Sequence, residues 1–266
     1  MKPLLGHFGL THHPFGRRTP DGALYRHRGF EEAHRRLRYT ADLEGIAELI
    51  SEPGCGKSLL LSVLADGLQR DGWAVHYFAH ATIGPFSLVN VLARKVGLAP
   101  RRSRGETAMA IAEALIDDER NHMLVLDEAH RMPDASLEDV RLLTITDFDR
   151  QSPFLLLLAG QSTLDERLAE PTHYALDQRV TTVARLMPLS PDETKEYILL
   201  RLAAAGAKDQ PLFEDGAIDA IHDTAGGVPR RINNLATAAM IVAAARNRRI
   251  VTDQDVHDAR VDRGRP

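Results

Sequence analysis

Short apolar runs recur along this chain, each separated from the next by a longer amphipathic stretch, and that alternation leaves few folds open. The runs lie at residues 46–50, 74–79, 123–127, 154–159 and about 182–187, and helical patterns occupy 58–70, 86–96, 107–119 and 137–146 between them. An earlier helix shows Phe30, Ala33, Leu37 and Ala41 on one face, with Glu31, Glu32, Arg35, Arg36 and Arg38 mostly on the other. Strands alternating with helices predict a parallel sheet covered on both faces, and Leu155-Leu156-Leu157-Leu158 suits a strand buried on both sides. After Pro188 the strand signal stops. Ser190 as N-cap and Glu193 complete a capping box. Helices are predicted at about 191–205, 213–225, 229–246 and 253–260, with Thr252 capping the last. The expected organisation is an N-terminal arm (1–28), an α/β core (29–188) and a helical lid (189–266). The arm, with Pro14-Phe15 and Pro20-Asp21-Gly22, reads as turns rather than regular structure.

Composition narrows the class further. At 266 residues, with 44% hydrophobic and 26% charged, the chain can bury a sizeable core without disulfides or a structural metal. Its single cysteine, Cys55, excludes a disulfide framework and favours a reducing compartment. The start carries no signal-peptide pattern. The longest apolar stretches, 154–159 and 238–245, fall far short of the ~20 residues a membrane span needs. The expectation is a cytoplasmic protein with no membrane segment.

The strongest chemical signal is Ser51-Glu52-Pro53-Gly54-Cys55-Gly56-Lys57-Ser58, which follows the first core strand and opens a helix. A phosphate-binding loop sits at that place: successive backbone N–H groups converge on phosphate oxygens, and the helix N-terminus adds a favourable dipole. Residues Pro53 to Leu59 are the candidate ATP-binding segment, with Lys57 reaching the β- and γ-phosphates and the Ser58 hydroxyl on Mg²⁺. The bland alternative is a glycine-rich turn opening an ordinary helix. Met123-Leu124-Val125-Leu126-Asp127-Glu128 is an apolar strand ending in two carboxylates, which face the same crevice as the loop. Asp127 fits the Mg²⁺ role and Glu128 the base that polarises attacking water. Gln161 emerges after the next strand beside that water. Arg179, before the last strand, suits an arginine finger offered to a neighbouring subunit, and Arg230, opening a lid helix, suits a γ-phosphate sensor. Each of the three, taken singly, also fits a surface residue near a turn. Glu48, a carboxylate inside an apolar strand, has no account at the level of sequence.

Taken in order, these motifs resemble the AAA+ ATPases, and most of all the ExeA/GspA-type group that also includes TniB-, TnsC- and MuB-type transposition ATPases. Phe8-Gly9-Leu10, Pro14-Phe15, Leu24-Tyr25 and Glu31-Glu32-Ala33 resemble that group's lead-in. Leu126-Asp127-Glu128-Ala129-His130, Ala159-Gly160-Gln161, Gln178-Arg179 and Gly226-Gly227-Val228-Pro229-Arg230-Arg231 resemble its later motifs, so the likeness runs from about residue 6 to 260. The departures are Ser51, where the loop motif has glycine, and the position around Ile145, where relatives often carry Asn. The resemblance implies a P-loop AAA+ parallel-sheet core with a C-terminal α-helical lid, nucleotide at their junction, and Mg²⁺-dependent hydrolysis of ATP to ADP and phosphate. It further implies a transposition helper: a homo-oligomer, ring or helical filament, on duplex DNA that recruits or activates a transposase. The rival is a secretion-assembly ATPase like GspA and ExeA themselves, which continue into a membrane span and a periplasmic part. The sequence stops at Pro266 with neither, so transposition is the favoured expectation. A DNA-independent signalling switch is the third.

Charge is unevenly spread in a chain of net charge −4. Residues 72–105 hold no Asp or Glu but include Arg94, Lys95, Arg101, Arg102 and Arg104. Residues 224–252 are acid-free too, with Arg230, Arg231, Arg246, Arg248 and Arg249, and the arm before Asp21 adds Lys2, Arg17 and Arg18. Such stretches are commonly solvated faces. Repeated around an oligomer, Lys95, Arg101, Arg102 and Arg104 would track a duplex backbone. No aromatic is interleaved with 101–104, which argues against base stacking. His76 and His80 flank a predicted strand end, where an i, i+4 spacing does not align side chains, so zinc is not expected there. His130 fits either packing or a coupling role, and Cys55 reads as a small loop residue.

Overall fold

The computed structural model describes residues 2–16, 24–43, 45–79, 85–144, 152–207 and 211–262. The readings at Arg17, Arg18, His80 and Ile145 fall outside that set. Along the chain the elements are α1 (Lys2–Phe8), α2 (Arg28–Asp42), β1 (Ile46–Ser51), α3 (Lys57–Arg70), β2 (Ala74–Phe78), α4 (Pro85–Lys95), α5 (Arg104–Ile116), β3 (His122–Leu126), α6 (Asp134–Leu143), β4 (Leu155–Gly160), α7 (Ser162–Leu168), α8 (Tyr174–Asp177), β5 (Val180–Leu186), α9 (Pro191–Ala204), α10 (Asp215–Ala225), α11 (Pro229–Ala245) and α12 (Asp253–Asp262), with 3₁₀ turns at Ala129–Arg131 and Pro171–His173. Each strand begins and ends within about two residues of its sequence expectation. The chain divides into two compact units, one of Gly29–Pro53 with Lys57–Leu186, the other of Met1–Arg28, Gly54–Gly56 and Met187–Pro266.

The first unit is a five-stranded sheet in the order β2-β3-β4-β1-β5, with every pairing parallel. β1, β3 and β4 occupy the middle and are buried along their whole length, which is why their sequences are mostly apolar, with Glu48 in β1 the exception inside a strand. Side chains alternate between the two faces. Ile46, Ile50, Leu124, Leu126, Leu156 and Leu158 form one cluster with Leu88, Leu92, Ile111, Leu137, Leu164 and Leu176, so α4 to α8 cover that face. The buried stripes of α2 (Phe30, Ala33, Leu37, Ala41) and α3 (Leu60, Leu61, Leu64, Leu68) lie outside that cluster. They are left for the other face, toward which Ala47, Leu49, Met123, Val125, Leu155 and Leu157 point. Because the strands are parallel and adjacent, the segments leaving β1, β3 and β4 emerge at one edge. That edge carries the candidate site.

The second unit is helical apart from one isolated parallel bridge, Phe213 with Val251. Ser190 caps α9 in a full capping box with Glu193, as the sequence predicts. Thr252 and Asp255 cap α12 reciprocally, Thr252 N–H donating to Asp255 Oδ2 at 3.1 Å and Asp255 N–H to Thr252 Oγ1 at 3.4 Å. The expectation of an arm without regular structure is corrected here: residues 2–8 form α1, and Phe8, Leu10 and Phe15 join the buried cluster made by α9 to α12. Seven residues are too few for a period to show in the sequence, and tertiary packing decides the outcome. The buried Arg201 guanidinium fixes the same segment, donating to Pro14 O at 2.7 Å and Gly16 O at 2.9 Å. Among the described residues no helix is long and apolar enough to cross a membrane.

Candidate nucleotide-binding site

Residues 52–56 form the turn between β1 and α3, and Lys57 and Ser58 open that helix. The loop depends on two glycines in left-handed backbone, Gly54 at φ +101° and Gly56 at φ +109°, a conformation that side chains rarely adopt. Gly54 has a second constraint. A Cβ there would come within 2.9 Å of Arg230 Cβ and 3.1 Å of Val228 Cγ1, and Arg230 N–H donates to Gly54 O at 3.2 Å. Ser51, in the place of the motif's first glycine, is buried as the last residue of β1, and its hydroxyl donates to Glu52 O at 3.1 Å. Cys55 is buried.

Beyond β3 stand the two carboxylates. Lys57 Nζ bridges them, 2.6 Å from Asp127 Oδ1 and 2.6 Å from Glu128 Oε1. The Lys57 and Asp127 side chains keep only 10% and 7% of their exposure, against 38% for Glu128. Charges that far out of water are costly unless compensated, and each compensates the other here. Tyr77 Oη donates to the second oxygen, Asp127 Oδ2, at 2.8 Å. Glu128 sits in left-handed backbone at φ +57°, a conformation costing a non-glycine residue about 1–3 kcal/mol. Two hydrogen bonds hold it there: Glu128 N–H to Asp127 Oδ1 at 2.8 Å and Arg131 N–H to Glu128 O at 2.9 Å. The 3₁₀ turn beyond is clamped by Arg167 on α7, which donates to His130 O at 2.7 Å and pairs with Asp134, itself bonded to His173 at 3.1 Å. His130 Nε2 lies 3.8 Å from Glu128 Oε2, and burial lowers its imidazole pKa below the usual value.

Gln161 caps α7 directly after β4, at the same sheet edge. Arg179 does not join this group. It precedes β5, at the opposite edge, roughly 20 Å from the loop at ~3.3 Å per strand residue. Arg230 opens α11 after a tight turn at Gly226 and Gly227, both in left-handed backbone. A Cβ on Gly227 would fall 2.1 Å from Leu189 O, so only glycine fits there.

The basic stretch is partly engaged. Lys95 Nζ donates to Tyr77 O at 2.6 Å and lies 4.7 Å from the centroid of the Phe78 ring. Arg104 pairs with the buried Asp139 at 3.1 Å. Arg101 and Arg102 are exposed. His76 stacks on His122, with ring centroids 5.4 Å apart and Nε2 3.1 Å from Nδ1, and burial with the neighbouring His122 pushes it down to about 4.

Sequence reasoning missed Tyr77 and Arg167, whose roles depend on which strand and helix lie next to the carboxylates. The Glu48 anomaly gains a physical description. Its carboxyl is 1% exposed and Oε2 has no hydrogen-bond partner. Burial pushes it up to about 7, Asp165 and Asp177 add in the same direction, and Arg185 opposes them.

A glycine loop between strand and helix, a lysine on its first helical turn and a carboxylate pair at the end of β3, one strand removed from β1 across β4, define the nucleotide end of a P-loop sheet. Residues 40–168 match the AAA domain family. The fold is that of a P-loop AAA+ domain. It is 29% identical over 261 residues to general secretion pathway protein A of Aeromonas hydrophila, covering 94% of this chain and 46% of that protein. The chain thus spans about half the length of this curated relative. Among solved structures it is similar to Cdc6p of Pyrobaculum aerophilum, with a TM-score of 0.70 at 20% identity over 94% of this chain and 70% of that one. It is also similar to the Aeropyrum pernix ORC1 protein in complex with DNA, with a TM-score of 0.64 at 19% identity over 91% and 67%. The AAA+ fold is a nucleotide-binding fold. The donors at this edge suit Mg²⁺, which binds through one or two carboxylates plus substrate phosphates rather than in an all-protein cage. Asp127 and the Ser58 hydroxyl are oxygen donors of that kind.

Proposed function

We propose that the protein is a Mg²⁺-dependent ATPase that acts as a homo-oligomer, binds duplex DNA with little sequence preference and recruits or activates a transposase. The observation that carries the ATPase part is the Lys57 ammonium held between Asp127 and Glu128, 2.6 Å from each, beside a loop built on Gly54 and Gly56. With ATP in the loop, Lys57 would exchange these carboxylates for the β- and γ-phosphates, and Asp127, released from Lys57, would hold the metal together with the Ser58 hydroxyl. Bound Mg²⁺ supplies charge neutralisation on the transferring phosphoryl group. Glu128, released from Lys57, orients the attacking water and accepts its proton. Gln161, at the same edge, hydrogen-bonds that water. Arg230 senses the γ-phosphate. Arg179, a strand's length from its own loop, serves a neighbouring subunit, and this makes turnover depend on assembly.

The DNA part rests on the acid-free 72–105 stretch and its exposed Arg101 and Arg102, joined by Lys95 and Arg104 where a phosphate displaces their present partners. Likeness to a fold-mate solved with DNA supports it. The transposase partner rests on the resemblance of the motif set alone. A second reading, assembly of a secretion apparatus, is favoured by the match to general secretion pathway protein A over 94% of this chain. Fluorescence anisotropy of a labelled duplex with ATP, with ADP and without nucleotide separates the two. Tight binding confined to ATP, weakening steeply with salt, is expected. Absence of binding under all three conditions at low salt removes the transposition reading and leaves the secretion reading standing.

A further inference from the structure

We infer that Tyr77 is a positioning residue for the metal-nucleotide site, fixing the Asp127 carboxylate in the orientation that presents Oδ1 to a cation. This rests on the reading of Asp127 as the Mg²⁺ carboxylate. β2 pairs with β3 so that Tyr77 stands opposite Val125, and Asp127 lies two residues further on, on the same face. Diagonal neighbours of this kind lie within reach of an aromatic side chain. The phenol spans the gap and donates to Asp127 Oδ2 at 2.8 Å. The other oxygen receives Lys57 Nζ at 2.6 Å and Glu128 N–H at 2.8 Å. Three elements thus hold one carboxylate; the Lys57 contact must be given up when phosphates arrive, whereas the phenol on Oδ2 and the Glu128 N–H on Oδ1 do not depend on it.

The end of β2 is itself fixed. Asp127 N–H donates to Phe78 O at 2.9 Å, and Lys95 Nζ holds Tyr77 O at 2.6 Å. Packing alone does not account for the hydroxyl: Tyr77 lies on an edge strand and stays 40% exposed, so its ring could be packed without a bond to Asp127. Its hydroxyl is spent on a carboxylate that can only accept, and the carboxylate's orientation is then set by a rigid ring on a neighbouring strand. Hydrogen-bond partners of metal-binding side chains typically contribute 10–100-fold in metal affinity or activity.

The test is equilibrium binding of a fluorescent ADP analogue to the full chain, titrated across Mg²⁺ concentration, for wild type, Tyr77→Phe and Asp127→Asn. Tyr77→Phe should need about 10-fold more Mg²⁺ to reach the high-affinity state. Its affinity for the analogue without metal and its thermal unfolding should match wild type. An unchanged Mg²⁺ midpoint in Tyr77→Phe, with a shifted one in Asp127→Asn, overturns the assignment of Tyr77 and leaves the metal site intact. Equal losses with and without metal overturn it too, because they mark a structural role. A midpoint that Asp127→Asn does not move overturns both the metal-site reading and the inference resting on it.

Discussion

Two charged regions of the sheet unit face different physical circumstances. At the C-terminal edge, Lys57, Asp127, Glu128 and Tyr77 converge within hydrogen-bond distance of one another, and two of the charges are almost wholly removed from water. Along 95–104 the charges are exposed, spread from the end of α4 through the following loop to the start of α5, and in two cases bonded to the protein's own backbone or carboxylate. Buried charges are tolerated only in a set geometry, so each member of the first region is constrained by the others. Exposed charges act additively and at long range, screened by salt. Loss of one charge should therefore cost far more at the edge than along the basic stretch.

The largest effect expected is one that extends the edge across a subunit boundary. Arg179→Ala should lower ATP turnover by about 10³-fold or more, the contribution of arginine fingers in other NTPases. Mixing it with Lys57→Ala should restore part of the activity, because each variant supplies at some interfaces what the other lacks. Full turnover by a monomeric Arg179→Ala protein would remove the intersubunit role and confine the site to one chain.

Next in size is Glu48, a buried carboxyl whose Oε2 has no hydrogen-bond partner among the described residues. In the folded protein it keeps its proton up to about pH 7, whereas the unfolded chain releases it near 4.5. The raised value means that its contribution to stability is complete below pH 4.5 and is lost as pH rises through 7. The difference corresponds to roughly 3 kcal/mol. Urea unfolding of wild type and Glu48→Gln should show near-equal stability at pH 5, with the glutamine variant gaining on wild type by pH 8. A constant difference across that range would contradict a carboxyl held neutral by burial.

The smallest effect belongs to the basic stretch. Replacing Arg101 and Arg102 with Ala should flatten the slope of log affinity for duplex against log salt by about 2, at ~0.9 per phosphate contact, and leave ATP affinity unchanged. A slope equal to that of wild type would move the DNA contact to another surface, such as that of Arg248 and Arg249.

The contrast also explains what could be read from the chain alone. β1, β3 and β4 were legible because strands buried on both faces are written as mostly apolar runs, which Glu48 interrupts in β1 without hiding it. Lys57, Asp127 and Glu128 stand out in the sequence because a glycine loop opening a helix and a carboxylate pair following an apolar strand are local patterns. Tyr77 was not, since its partner lies 50 positions along the chain and becomes a neighbour only through the β2–β3 pairing. Arg104 looked available because Asp139, which neutralises it, sits on a different helix. α1 was hidden because its helix depends on apolar residues of α9 to α12 rather than on its own period. Local chemistry is carried by the sequence, whereas the partner of each charge is decided by topology.

The central claim is that the loop lysine and the paired carboxylates form a site for metal-bound ATP. Calorimetric titration of ATP with Mg²⁺ into wild type, Lys57→Ala and Glu128→Gln tests it most directly, with phosphate release followed on the same samples. Lys57→Ala should show no binding. Glu128→Gln should bind as wild type while turnover falls by about 10²–10⁴-fold, the range for loss of a general base. ATP affinity equal in wild type and Lys57→Ala would contradict the account.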